Sequence, residues 1–372
     1  MQKDLKNILR LGGASLVAVV TAALALRRAE QMRVQKRTKL LGENAVDETI
    51  AVRVYGTTLK ALVRGEDRRN PVLLMVHGGP GTPEAMVARE YDMDLVDDFV
   101  VVRYDQRGTG RSPVGRVPIK RYTLELFVDD VLRMARALRA RFPDQGLVLV
   151  GNSWGSVLGM LAVKQQPDLF DAYVGISQVI DLQTSDPWSY DYALEKATAL
   201  KKTTAVKKLK RLDRDSFFLD YAAMRKQRSA LYEVSGVMVR KTTRREMLVA
   251  ALRSPDYSLI DLFRTAWLAG KLGRRLYPQM ALTNLMETIE DVEVPVFFIE
   301  GTEDRQVSPQ LAHDFLQRLR APIKKMLWVE DAGHFFDYEK PYAFYERMLE
   351  VKAALNEYEL KWSAPAARSS RS

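Results

Sequence analysis

No cysteine occurs among the 372 residues. Disulfides, thiolate metal sites and a cysteine nucleophile are therefore excluded. Histidine is nearly as scarce: only His77, His313 and His334 can supply an imidazole. There is no HExxH pair and no Cys/His cluster, so nothing points to a zinc enzyme, and no metal or other cofactor is expected. The chain carries 57 Lys and Arg against 47 Asp and Glu, a net +10, yet no nucleic-acid-binding motif accompanies the excess. A nucleic-acid partner is not expected, and the basic surface reads as a solvated one. Hydrophobic residues make up 47% and charged residues 28%, ordinary values for a globular protein. That balance excludes a mainly disordered chain and a polytopic membrane protein.

One apolar stretch stands apart. Leu11–Leu26 holds no charge, follows Lys3, Lys6 and Arg10, and precedes Arg27, Arg28, Arg33, Lys36, Arg37 and Lys39. It is shorter than the ~17–20 residues of a spanning helix, but flanking arginines can snorkel. A membrane anchor is the expectation. A signal peptide cleaved after Ala23-Leu24-Ala25, with secretion, is the alternative. The greater positive charge on the C-terminal flank points to a cytoplasmic catalytic domain.

From Thr49 the pattern becomes β-rich. Ile50–Tyr55 and Thr58–Val63 alternate around Gly56 and predict a hairpin. Val72–Val76, Phe99–Tyr104, Leu147–Val150 and Tyr173–Ser177 are apolar runs alternating with helical periodicity, as in Leu124–Phe142. Continuous apolar strands between helices predict a parallel sheet covered on both faces. The alternation stops near Val179 and resumes at Val294–Glu300 and Lys325–Glu330. Between Val179 and Glu290 the chain is helix-rich, for example over Ala193–Leu212 and Tyr257–Leu272, with 20 basic and 13 acidic side chains. The expected organisation is an anchor or signal segment with a basic linker (1–40), a core (41–178), a helical insertion (179–290), a second core part (291–360) and a disordered tail (361–372).

The chemistry concentrates at three places. Gly151-Asn152-Ser153-Trp154-Gly155 follows an apolar strand and opens a helical pattern. Small residues on both flanks let the backbone turn sharply and lift Ser153 Oγ above the sheet edge as a nucleophile. A serine needs a base. His334, in Asp331-Ala332-Gly333-His334 just beyond a strand, sits on the correct side of a parallel sheet. His313 falls in a predicted helix, Pro309–Leu319, as a surface residue, and His77 is placed to hydrogen-bond the glycine loop after it. Asp304, again beyond a strand, is the carboxylate expected to orient His334, with Glu303 and Asp331 as alternatives. The order Ser153, Asp304, His334 is that of one hydrolase superfamily. The amides of Trp154 and Gly79 are the expected oxyanion donors.

Together, His77-Gly78-Gly79-Pro80-Gly81, Asp105-Gln106-Arg107-Gly108-Thr109-Gly110-Arg111-Ser112 and Gly151-Asn152-Ser153-Trp154-Gly155-Ser156 resemble the α/β-hydrolase superfamily, and within it the proline iminopeptidase-like branch. Gly301-Thr302-Glu303-Asp304 and Gly333-His334 complete the resemblance, which covers residues 45–178 and 291–355. It implies an eight-stranded, mostly parallel sheet flanked by helices, a helical cap inserted after the sixth strand, and a metal-free serine mechanism on an ester or amide. The substrate implied is a short peptide or small molecule, with an aminopeptidase and a carboxylesterase both open and a non-catalytic binding protein a further alternative. The branch holds its substrate ammonium with cap carboxylates. Glu195, Glu233, Glu246, Glu287 and Glu290 match none of that pattern here. A cap stripe of Leu259, Leu262, Phe263, Ala266 and Trp267 is expected to line a pocket or to pack the cap on the core. Epoxide hydrolases and dehalogenases need Asp where Ser153 stands.

Overall fold

The structure, a computed structural model, describes the backbone of residues 2–358 and the side chains from residue 19 onward. Eight strands form one sheet in the order β1-β2-β4-β3-β5-β6-β7-β8. β1 (Val46–Val54) and β2 (Thr57–Gly65) are the expected hairpin. β3 (Val72–Val76), β4 (Val100–Asp105), β5 (Leu147–Asn152), β6 (Ala172–Ile176), β7 (Val296–Gly301) and β8 (Lys324–Val329) run parallel to one another. The alternation of side chains explains why these strands read as unbroken apolar runs. Leu74, Leu149 and Phe298 enter one core, while Leu73, Val148 and Phe297 enter the other.

α2 (Leu124–Arg141) and α3 (Trp154–Gln165) cover the first face, together with α9 (Pro309–Arg318), and α10 (Pro341–Glu357) covers the second. Between β6 and β7 lie α4 (Leu182–Ala199), α5 (Thr203–Leu209), α6 (Tyr221–Glu233), α7 (Thr243–Arg253) and α8 (Leu259–Ala281). β3 is the switch point: the chain steps from it to β4 on one side and then crosses back to β5 on the other, which opens a crevice at the strands' C-terminal ends.

Several expectations need correction. The segment after the apolar run is not a linker. α1 runs unbroken over Gln2–Arg37, because residues 27–37 are nearly all strong helix formers without Gly or Pro. Its C-terminal half is docked: Arg27 donates to the carbonyls of Leu252 and Tyr257, Gln31 donates to that of Ser254, and Val34 is buried. Of the expected anchor, the side chains of residues 11–18 lie outside the described residues, as does the tail at 361–372. Among the described residues no helix is long and apolar enough to cross a membrane. The helix expected over Ala193–Leu212 is broken at Lys201, whose φ of 53° is left-handed. Of the apolar stripe of α8 only Leu262 packs inward, against the small cluster of Val87, Ala250, Ala251 and Tyr338. Leu259, Phe263 and Trp267 are exposed, and the contact with the core comes from Leu268, Leu272 and Leu276 on the neighbouring face.

Candidate active site

The turn from β5 into α3 sets the geometry. Ser153 has φ 52° and ψ −115°, a conformation an L-residue adopts only when its surroundings impose it. Its two flanking glycines are sterically required. A Cβ on Gly155 would fall 2.0 Å from the carbonyl oxygen of Val76, and one on Gly151 would fall 2.5 Å from that of Gly155. Ser156 Oγ closes the turn by donating to the Ser153 carbonyl at 2.5 Å, and Ser153 N–H donates to Ile176 O at 2.9 Å.

His334 lies beyond β8. Its Nε2 stands 3.0 Å from Ser153 Oγ and its Nδ1 stands 2.7 Å from Asp304 Oδ2. A carboxylate can only accept, so the ring carries its proton on Nδ1, and Nε2 is left to accept from the serine hydroxyl. The backbone of His334 is clamped from both ends: its N–H donates to Val237 O, and its carbonyl accepts from Ser177 Oγ. Asp304 is wholly buried. Its Oδ1 accepts from the backbone N–H groups of Gln306, at 2.7 Å, and Val307, at 3.1 Å, which aims Oδ2 at the ring. Gly301 lets the two loops meet, because a Cβ there would fall 2.4 Å from Ala332 O. Ser153, Asp304 and His334, far apart in the chain, are therefore brought together.

The rival groups are placed elsewhere. Glu303 is half exposed and pairs with Arg305, and Asp331 is exposed. His313 is a surface residue of α9. His77 is buried, and its Nε2 accepts from Gln106 N–H while Nδ1 donates to Gly78 O at 2.8 Å. Burial lowers its pKa to about 4 and keeps it neutral.

The N–H groups of Trp154 and Gly79 donate to no backbone acceptor, whereas that of Gly78 is taken by Glu84. Gly79, at φ 126°, and Gly78 lie along the elbow, where a Cβ on Gly78 would fall 3.5 Å from Ser153 Cβ. Trp154 itself is anchored by donating from Nε1 to Gln106 Oε1 and by packing edge-on against Phe127. The Asp105–Ser112 loop shapes the rim. Arg107 pairs with Asp130 in full burial, and Asp105 accepts from Arg111 N–H and from Tyr257 OH of the cap. α8 roofs the crevice: Ala269 and Leu272 lie against Gly81, and Thr265 accepts from Gly110 N–H. This arrangement can take a proton from a hydroxyl and hold negative charge on a carbonyl oxygen beside it.

Three buried groups escaped the sequence reading. Glu300 lies under Asp304, and burial first, then the Asp304 charge, raises its pKa well above the ordinary value. Glu339 accepts from Gly333 N–H at 2.7 Å and steadies the histidine loop. Glu84 accepts from Gly78 N–H and pairs with Arg103. The available signal was Arg103 itself: a cation inside the apolar run of β4 requires a buried acid to meet it.

The family described as serine aminopeptidase, S33, matches this chain over residues 67–341. The probable aminopeptidase YbaC of Bacillus subtilis (strain 168) is 30% identical over 294 residues, 78% of this chain and 92% of that protein. Among solved structures, proline iminopeptidase of Mycobacterium smegmatis superposes with a TM-score of 0.60 at 18% identity, covering 84% of this chain and 99% of that one. A putative lipase of Acinetobacter baumannii gives a TM-score of 0.60 at 14% identity, covering 89% and 97%. The two structures share the fold, so the expected architecture, an eight-stranded, mostly parallel sheet flanked by helices, is the one found.

Proposed function

Because the chain belongs to the serine aminopeptidase S33 family, we propose that it removes the N-terminal residue of a short peptide through an acyl-enzyme on Ser153. The observation that carries the reading is the hydrogen-bonded line from Ser153 Oγ through His334 to Asp304. Oγ attacks the carbonyl carbon as its proton passes to His334 Nε2, and the carbonyl oxygen takes the negative charge facing the Trp154 and Gly79 amides. Collapse breaks the C–N bond, and the leaving amine takes the proton from Nε2. Water then repeats the sequence and frees the acid and the serine. A fluorophosphonate should label Ser153, and Ser153→Ala should abolish both labelling and hydrolysis of proline-naphthylamide. Folded protein that resists labelling would overturn the proposal.

A second reading, a carboxylesterase of small acyl esters, is favoured by the charge of the cap. An excess of seven positive charges over residues 179–290 repels a substrate ammonium. Three cap acids are occupied elsewhere, Glu233 with Lys208, Glu246 with Arg240 and Glu290 with Arg320. A strong preference for short p-nitrophenyl esters over proline-naphthylamide would decide for the esterase.

We infer further that the enzyme works at a membrane surface. Supporting this are the uncharged run Leu11–Leu26 with basic flanks, the exposure of Val19, Leu24 and Leu26 on α1, and that of Ile260, Phe263 and Trp267 on α8, which begins just after the Tyr257 carbonyl bonded to Arg27. Full-length protein should sediment with phosphatidylglycerol vesicles. Protein left in the supernatant would refute the inference.

A further inference from the structure

Behind the crevice a buried acid joins the two loops that the proposed chemistry uses. Glu84 Oε1 accepts from Gly78 N–H at 3.0 Å and from Asn152 Nδ2 at 3.1 Å. Gly78 immediately precedes Gly79, and Asn152 immediately precedes Ser153. One carboxylate oxygen therefore ties the oxyanion loop to the nucleophile's turn. The other oxygen, Oε2, accepts from Arg103 Nη1 at 2.8 Å, and Arg103 is held in turn by Asp92 through two bonds of 2.8 Å. Glu84, Arg103 and Asp92 are all buried, so the assembly is shielded from solvent and rigid.

The orientation of the oxyanion donor follows from this clamp. Gly79 N–H belongs to the same peptide unit as Gly78 C=O, and that carbonyl accepts from His77 Nδ1 at 2.8 Å. Within a planar peptide the N–H points away from the C=O. With Glu84 fixing one end of Gly78 and His77 the other, Gly79 N–H has one direction left. Glycine offers no side-chain restraint of its own, so without the clamp Gly78 and Gly79 could sample many conformations.

Asp337 completes the cluster from the histidine loop, three residues beyond His334. It is buried, and its oxygens find no donor within hydrogen-bonding distance. Burial first, then the Glu84 charge, raises its pKa well above the ordinary value. Burial raises Glu84 as well, but the Arg103 guanidinium opposes that rise. Glu84, with Gly78 N–H, Asn152 Nδ2 and Arg103 Nη1 all donating to it, is therefore the acceptor around which the cluster is built.

We infer that Glu84 is a positioning residue that sets the oxyanion amide of Gly79 against Ser153; this rests on the serine-hydrolase reading above. Glu84→Ala leaves Gly78 N–H, Asn152 Nδ2 and Arg103 without their shared partner. A displacement of an oxyanion donor on the order of 1 Å costs about 100-fold in rate. Glu84→Ala should lower kcat about 100-fold and leave KM within about threefold. The affinity of a boronate transition-state analogue should fall in step with kcat. Glu84→Gln, which keeps an oxygen acceptor for the two donors, should recover at least a tenth of the wild-type kcat. A merely structural role would lower the melting temperature without this split between kcat and KM. If Glu84→Ala does not fold, Asn152→Ala removes one leg of the bridge and should lower kcat about tenfold at unchanged KM. A folded Glu84→Ala or Asn152→Ala enzyme with wild-type kcat overturns the inference. Failure of the wild type itself to react with a fluorophosphonate at Ser153 overturns the hydrolase reading instead.

Discussion

Replacing Asp304 by asparagine separates its proposed role from mere occupancy of space. The substitution keeps the size of the side chain and removes its charge. Which end of the amide faces His334 is decided by the backbone. Asp304 Oδ1 accepts from Gln306 N–H and Val307 N–H, so an amide nitrogen there would face two donors. The amide oxygen must stay on that side, and the NH2 group takes the place of Oδ2, 2.7 Å from His334 Nδ1. A donor now faces Nδ1, which must become an acceptor and pass its proton to Nε2. Nε2 then donates towards Ser153 Oγ where it has to accept, and the serine has no base. A wrong tautomer in such a triad costs about 10⁴-fold in kcat, equivalent to about 5 kcal/mol of barrier. KM and melting temperature should change little, because volume and the two backbone hydrogen bonds are retained. The assay is steady-state hydrolysis of proline-naphthylamide, or of the preferred ester, with the fluorophosphonate labelling rate as a second readout. Glu303→Gln and Asp331→Asn serve as controls and should stay within twofold of wild type. Asp304→Asn enzyme within tenfold of the wild-type kcat would refute the reasoning, and a collapse of Glu303→Gln would move the role to the neighbouring acid.

Two further outcomes follow from the same geometry. Gly155→Ala places a methyl group 2.0 Å from Val76 O and 2.9 Å from His77 O, both backbone atoms that cannot swing aside. A loss of about 3 kcal/mol or more and a melting temperature lower by several degrees are expected by calorimetry, and an unchanged transition would refute the account. His77 should keep a neutral ring, protonated on Nδ1, down to about pH 4, as read from its nitrogen chemical shifts. Between its ordinary 6.5 and about 4 the unfolded chain binds a proton there that the folded one does not. Stability therefore falls as pH is lowered through that window, by about 3 kcal/mol from this residue alone. Asp130, pushed up to about 6 by burial, works in the opposite direction between 3.8 and 6 and offsets part of the loss. A His77 midpoint near 6.5 would sink this reading.

The helices show where reading by pattern succeeds and where it slips. Leu124–Phe142 was legible because its apolar positions recur every three or four residues, and the structure adds a Thr123 cap at its start. α8 was legible as a helix but not as to its inward face. It is apolar on two sides, and periodicity cannot say which one meets the core. The docking of α1 was illegible because Arg27 and Gln31 read as solvated charge and polarity until the carbonyls of Leu252, Ser254 and Tyr257 are brought beside them.

What the amino-acid order alone determined is local: the strand–turn–helix that lifts Ser153, the glycines that such a turn demands, the doubly apolar strands, and the order of Ser153, Asp304 and His334. Each depends on neighbours within a few residues or on the period of a single element. What only the tertiary structure decided is which groups share a buried volume. Glu84, 68 residues from Asn152, reads as an ordinary loop acid, and Asp304, 30 residues from His334, is set apart from its alternatives Glu303 and Asp331 only by the fold. A carboxylate removed from water must be met by donors, and only the folded chain shows which donors arrive.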